Sequence, residues 1–248
     1  MTDANNAAAI PSRLRFWALV ILLPSAFAVL IALGTWQVQR LAWKQDLLAS
    51  IEQRSRMQPA AIEEVEQTLE AGGPVEYRTA TVTGEFVHDG EQHFFATFNG
   101  QTGYYVYTPM KLADGRYLLV NRGFVPYDLK EPETRPGSLT PGVQTVTGLV
   151  REKLEEKPSF IVPDNDEAQN IYYWKDLDRM AANADLPADA VLPFFLDADA
   201  TPVPGGLPRG GVTVIDLPNN HLQYAITWYG LAAALLGVGL FAWFRRKS

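Results

Sequence analysis

Without cysteine, this chain has three imidazoles for side-chain chemistry, His88, His93 and His221. His221 stands in Asn219-Asn220-His221-Leu222-Gln223-Tyr224, at the edge of a long uncharged apolar block. An ionisable group at a membrane boundary is costly unless it is used or reaches water. Imidazole is also the commonest protein ligand of haem iron. His221 therefore reads either as an iron ligand or as an interfacial histidine bonded to a neighbour. Arg40 lies one turn beyond Trp36 and Gln37. A fixed cation there could pair with a carboxylate such as a porphyrin propionate, or with a lipid phosphate. His88, Glu91 and His93 flank Asp89-Gly90. A two-residue hairpin at that dipeptide would put all three on one face. Two imidazoles and a carboxylate could hold zinc or copper there, the alternative being an ordinary polar hairpin tip.

The rest of the composition excludes whole classes of chemistry. The lack of cysteine removes disulfides, thiolate metal sites, cysteine nucleophiles and c-type haem attachment. There is no G-x-S-x-G, no H-E-x-x-H and no phosphate loop. A net charge of −7 argues against a nucleic-acid partner. Glu63-Glu64 with Glu66 reads as a solvated helix face.

Two apolar blocks must position these residues. Phe16–Leu33 and Ala225–Phe244 carry no charge, and about 20 residues suffice to cross a ~30 Å hydrocarbon core. Trp17, Trp36, Trp228, Tyr229 and Trp243 lie near the block ends, where aromatic belts form. The first apolar run is longer than the core of a cleaved signal peptide. Arg245, Arg246 and Lys247 follow the second block, while only Arg209 precedes it closely. The positive-inside rule then places both termini in the cytoplasm and the middle of the chain outside. All the acids but Asp3 lie in that middle. The short stretch after the second block leaves no room for the output domain of a membrane sensor.

Between the spans the pattern predicts one domain. Trp36, Arg40, Trp43, Leu47 and Ile51 continue the first helix beyond the membrane until Pro59. A short helix fits Ala61–Ala71. Strands fit Tyr77–Val87, Glu91–Phe98, Tyr104–Leu112, Tyr117–Val125, Thr145–Val150 and Leu192–Leu196, with hairpin turns at Asp89-Gly90 and Asp114-Gly115. Trp174–Ala184 is helix-like, and Thr201–Gly211 reads as a flexible tether. The expected fold class is an α+β membrane protein. Two transmembrane helices enclose a β-rich antiparallel sheet or small barrel with a few helices. The expected boundaries are a cytoplasmic segment 1–15, a first span 16–36, a periplasmic domain 37–218, a second span 219–244 and a cytoplasmic tail 245–248.

Several blocks then resemble a known family. Gly34-Thr35-Trp36-Gln37-Val38-Gln39-Arg40 with Trp43-Lys44 resembles the N-terminal motif of the Surfeit locus protein family of cytochrome oxidase assembly factors. Tyr77-Arg78, Gly84-Glu85-Phe86, Pro163-Asp164-Asn165 and Trp174-Lys175-Asp176 are similar to further blocks. Val120–Pro126 resembles the central signature, with Phe124 where tryptophan is usual. Asn219–Tyr229 is similar to the closing motif and is the most specific match. The resemblance implies a non-enzymatic, chaperone-like membrane factor of respiratory-chain biogenesis. It would bind haem a transiently through His221 and assist its insertion into oxidase subunit I. For Arg40 and Arg122 the resemblance gives motif membership and no ligand role; Arg40 stays a candidate propionate contact by its position, and Trp36 and Tyr224 are the further candidate cofactor-site residues. Membrane lipids are further expected partners and haem a synthase is a candidate one, with direct contact left open. The polar N-terminus lacks an Arg-rich transit peptide, which points to a bacterial inner membrane. A scaffold for oxidase intermediates that never touches haem remains the alternative.

Overall fold

The computed structural model describes residues 12–213, 215 and 219–245. It divides into two compact units, Met1–Ala49 with Asp216–Ser248, and Ser50–Ile215.

The first unit is a helix pair. Helix α1, Ser12–Arg56, runs for 45 residues. At 1.5 Å per residue that is about 67 Å, twice the hydrocarbon thickness. Its N-terminal part is apolar and its C-terminal end enters the second unit, as the helical spacing up to Ile51 predicts. Its partner, helix α4, spans His221–Arg245. Both helices are long and apolar enough to cross a membrane. Ile21, Leu22, Ile226 and Phe241 stand bare on them, a surface that suits lipid and not water. This is a membrane protein. The helices meet along a narrow seam where Gly34, Gln37, Ala225 and Ala232 are buried. A Cβ on Gly34 would lie 2.8 Å from the Tyr229 ring. Small side chains thus let the backbones approach, as transmembrane pairs require. The Thr35 and Tyr229 hydroxyls share a hydrogen bond of 3.0 Å beside that contact.

The second unit is a small barrel. Strands β2 (Thr79–Phe86), β4 (Gln101–Leu112), β5 (Tyr117–Pro126), β6 (Val143–Glu152) and β7 (Val191–Ala198) close in the order β2-β6-β7-β5-β4 and back to β2. Every pair in the ring is antiparallel except β5–β7, which is parallel. Two short strands extend it: β1 (Ala60–Ala61) on β2, and β3 (Gln92–Phe98) on β4. Alternation sends Val82, Met110, Leu118, Val120, Val150, Phe194 and Leu196 into one core. Helix α2, Ile62–Glu70, adds Ile62 and Val65 to that core. The opposite face of the same strands, Tyr107, Leu119 and Phe195, packs under Leu177 and Met180 of helix α3, Leu177–Asn183. On the rim of β2 and β6, Thr81 with Thr147 and Thr83 with Thr145 pair their hydroxyls at 3.0 and 2.9 Å.

The fold class expected from the sequence is the one observed, and the helices and strands fall within a few residues of their predicted places. Two local expectations are corrected. Asp89-Gly90 is not a two-residue hairpin turn. β4 is 12 residues long, so β2 pairs with its far end (Phe86 with Met110) while β3 pairs with its near end (Gln92 with Tyr107). β2 and β3 lie end to end along β4, and His88–Gly90 makes a 3-10 turn at the corner. Thr201–Gly211 is not a free tether either. Arg209 exchanges both backbone hydrogen bonds with Phe124, and the Gly211 amide donates to the Ala198 carbonyl.

Candidate functional site

Within the helix pair, His221 opens α4 and faces α1. Its Nδ1 lies 2.7 Å from the Gln37 side-chain oxygen. A carboxamide oxygen can only accept, so Nδ1 donates and carries the proton of the neutral ring. That leaves the lone pair on Nε2, which makes no hydrogen bond among the described residues. Gln37 is buried in the seam and His221 is half-buried. An imidazole held by Nδ1–H and open at Nε2 is the form in which histidine binds a metal, with the outer partner fixing tautomer and ring plane. Two further polar atoms of the same motif are buried with no hydrogen-bond partner among the described residues, Asn219 Oδ1 and Trp228 Nε1. An oriented imidazole with Nε2 open fits an axially ligated porphyrin iron.

The other residues expected at the site are less engaged. Arg40 is exposed, its guanidinium 4.0 Å from the centre of the Trp43 ring. Trp36 and Tyr224 are 53% and 54% exposed. Gln37 is the residue that sequence reading left unassigned. Its signal was available: a polar residue on the same α1 stripe as Gly34, inside the motif that carries Arg40.

A second cluster of charged and polar groups lies in the barrel. Glu91 accepts from His93 Nε2 at 3.0 Å and from both terminal nitrogens of Arg135. Glu91, His93 and Arg135 are all buried. Burial alone would push the Glu91 carboxyl up, but the hydrogen bonds from His93 and Arg135 and the guanidinium charge outweigh it and hold it below the ordinary carboxylate range. His88 is turned elsewhere, with Nε2 on the Thr140 carbonyl at 3.1 Å and Nδ1 facing Arg122. Of the three residues read from the sequence as a metal option, Glu91 and His93 are thus bonded to each other while His88 points away, and they form no metal-holding group among the described residues. Arg135 also donates to the Leu129 and Lys130 carbonyls and to Ser138 Oγ. The cluster fastens the 127–142 loop to the barrel. It is a structural knot.

A third knot joins sequence blocks that looked functional. Asp197 accepts from Asn121 at 3.0 Å, Arg151 at 3.1 Å and Thr213 at 2.6 Å, with Lys175 at 3.6 Å. Burial raises this carboxyl, yet Lys175 and Arg151 bring it below its usual value.

The family model described as the SURF1 family matches residues 25–233. The chain belongs to the SURF1 family. It is 38% identical over 247 residues to a "SURF1-like protein" of Monosiga brevicollis, covering 94% of this chain and 88% of that protein. It is 36% identical over 246 residues to Surfeit locus protein 1 of Rattus norvegicus, covering 93% and 74%. Against Surfeit locus protein 1 of Homo sapiens it is 36% identical over 248 residues, covering 93% and 76%. The SURF1 match takes in part of each helix of the seam and the whole barrel, so it includes Gln37 and His221 together.

Proposed function

We propose that this chain is an oxidase assembly factor that binds haem a through His221 Nε2 and assists its insertion into subunit I of a haem-copper terminal oxidase. Membership of the SURF1 family supports the assembly role and a non-catalytic one. The observation that carries the haem reading is the Gln37–His221 hydrogen bond. It orients one ring nitrogen inward and leaves the other for a ligand, at the polar end of a lipid-facing helix pair. Haem a suits such a place, with a long apolar tail for the lipid side and two propionates for the polar side. A carrier must also release its cargo, and a single axial histidine allows that more readily than a closed two-ligand cage. Arg245 at the end of α4, with Arg246 and Lys247 after it in the sequence, favours a cytoplasmic C-terminus and an external barrel, in a bacterial inner membrane.

His221→Ala tests this directly. Alanine is the best helix former, so the protein should insert and accumulate normally. When purified from cells that make haem a, it should lose the Soret band of the bound haem. Oxidase made beside it should lack haem while keeping its subunits. Full haem occupancy in His221→Ala would falsify the ligand assignment. A wild type that never carries haem, together with oxidase assembly undisturbed by the variant, would leave the scaffold reading in place.

A further inference from the structure

A cavity of about 200 Å³ opens beside β6, and Arg122 lies at its buried end. Arg122 is only 4% exposed, and its guanidinium rests 4.7 Å from the Phe86 ring centre. One of its terminal nitrogens donates to the Ser138 carbonyl, and the other faces His88 Nδ1 at 3.5 Å. Its nearest carboxylate is Glu91, 4.0 Å away and already engaged by Arg135 and His93. Two guanidiniums therefore share one acid in a buried setting, and one positive charge is left over. Such a charge is costly unless an anion meets it. Burial brings Arg122 down to about 10, with Glu91 opposing the fall and Arg135 adding to it.

The cavity wall supplies what an anion needs. Thr140 and Thr201 are among its lining residues, as is the apolar Val203. The loops that hold Arg122 also close the space. The Pro204–Gly206 turn packs on the Pro136–Ser138 turn so tightly that a Cβ on Gly137 would lie 3.1 Å from the Gly205 Cα. The one acid in the lining, Asp199, has Oδ1 tied to the Thr201 amide at 2.9 Å. Its charge favours a small anion over a polyanion.

We propose that this cavity is a binding site for an oxyanion, a carboxylate or phosphate monoester carried on a short apolar stem. The oxygens pair with the remaining N–H groups of the Arg122 guanidinium and with the hydroxyls of Thr140 and Thr201. The stem packs on Phe86 and Val203. The site is independent of His221, which belongs to the other unit.

The full chain in detergent is titrated calorimetrically with phenyl phosphate, benzoate and dicaproyl phosphatidic acid. Saturable one-to-one binding of at least one probe is expected. Stronger binding of the phosphatidic acid than of phenyl phosphate assigns the site to a lipid headgroup, and the reverse order assigns it to a free metabolite. Arg122→Gln should abolish binding. Because that variant also cuts the hydrogen bond to Ser138, Thr201→Glu serves as the second probe. It puts a carboxylate on the exposed wall of the cavity. It should weaken binding at least about tenfold, which is 1.4 kcal/mol, with the unfolding midpoint of the ligand-free protein kept. No saturable binding of any probe to the wild type overturns the proposal, as does unchanged affinity in Thr201→Glu.

Discussion

His93 and His221 each place one ring nitrogen on a side-chain oxygen, yet they sit in opposite situations. His93 is 2% exposed, and its oxygen belongs to Glu91, which two arginines approach. Its other nitrogen, Nδ1, is buried with no partner among the described residues. His221 is half-buried, its oxygen belongs to the neutral Gln37, and Nε2 is left for a ligand. A carboxylate partner surrounded by guanidiniums locks an imidazole into a charge network whose purpose is to hold loops. A carboxamide partner fixes the ring without adding charge and leaves the second nitrogen available. The difference lies in the partner and in the access, and neither is visible in the histidine itself.

The comparison breaks most easily at Glu91. Glu91→Ala leaves Arg135 and Arg122 buried without their acid, which costs about 3–5 kcal/mol in a knot of this kind. Chemical unfolding of the full chain should show this loss, with His221→Ala unfolding its barrel like the wild type. Equal midpoints for Glu91→Ala and wild type would mean that the barrel cluster is as dispensable as a surface pair. The seam gives the next effect. Gln37→Leu keeps the size and apolar fit of the position but frees the His221 ring. Outer partners of metal ligands are worth about 10–100-fold in affinity, so haem retention should fall by that factor while the helices stay paired. Retention equal to wild type would show that the hydrogen bond does not orient the ligand.

Acid provides a third, smaller separation. The Glu91 carboxyl is held below its unfolded value, about 4.3, so it contributes stability above that pH. The contribution is lost as pH falls from about 4 through the folded value. Glu91→Gln should remove this part of the acid sensitivity, while Asp197, shifted the same way, keeps its own share in both proteins. Unfolding midpoints of wild type and Glu91→Gln followed from pH 6 to pH 3 should converge on the acid side. A constant gap between them would mean that the carboxylate's charge is not what Arg135 and His93 are holding.

The elements were largely legible because their signals are local. Two uncharged blocks, period-two strands and the Asp114-Gly115 turn each speak within a dozen residues. What stayed hidden depends on distance along the chain. Nothing near Asp89-Gly90 reveals that β4 is shared end to end by β2 and β3, because that division is set by where Met110 and Tyr107 find partners. Arg135 lies 44 residues from Glu91, and Gln37 lies 184 from His221. A polar residue's partner at such a separation leaves no trace in periodicity. Motif blocks gave a mixed return for the same reason. Val120–Pro126 and Trp174–Asp176 do meet, through Asn121 and Lys175, but at Asp197, where they tie strands and loops together.

The smallest expected effect concerns Arg40, where the two readings of a boundary arginine separate cleanly. Its guanidinium already stacks on Trp43, three residues on along α1, at a distance suited to a cation–π contact. Exposed contacts of this kind are worth about 0.5–1 kcal/mol, so Arg40→Ala should leave insertion and folding intact. If Arg40 also pairs with a haem propionate, it does so as an exposed ion pair, worth about 0–1 kcal/mol. Haem retention in Arg40→Ala should then drop by a few-fold at most, and the drop should shrink at high salt, because screening weakens an exposed pair. Arg40→Lys should restore part of it, since the charge survives and only the planar fork is lost. A salt-independent drop would instead assign the effect to the stacked Trp43. Retention identical to wild type at all salt concentrations would confine Arg40 to the lipid headgroups, leaving Gln37 and His221 as the pair that distinguishes this site from the barrel.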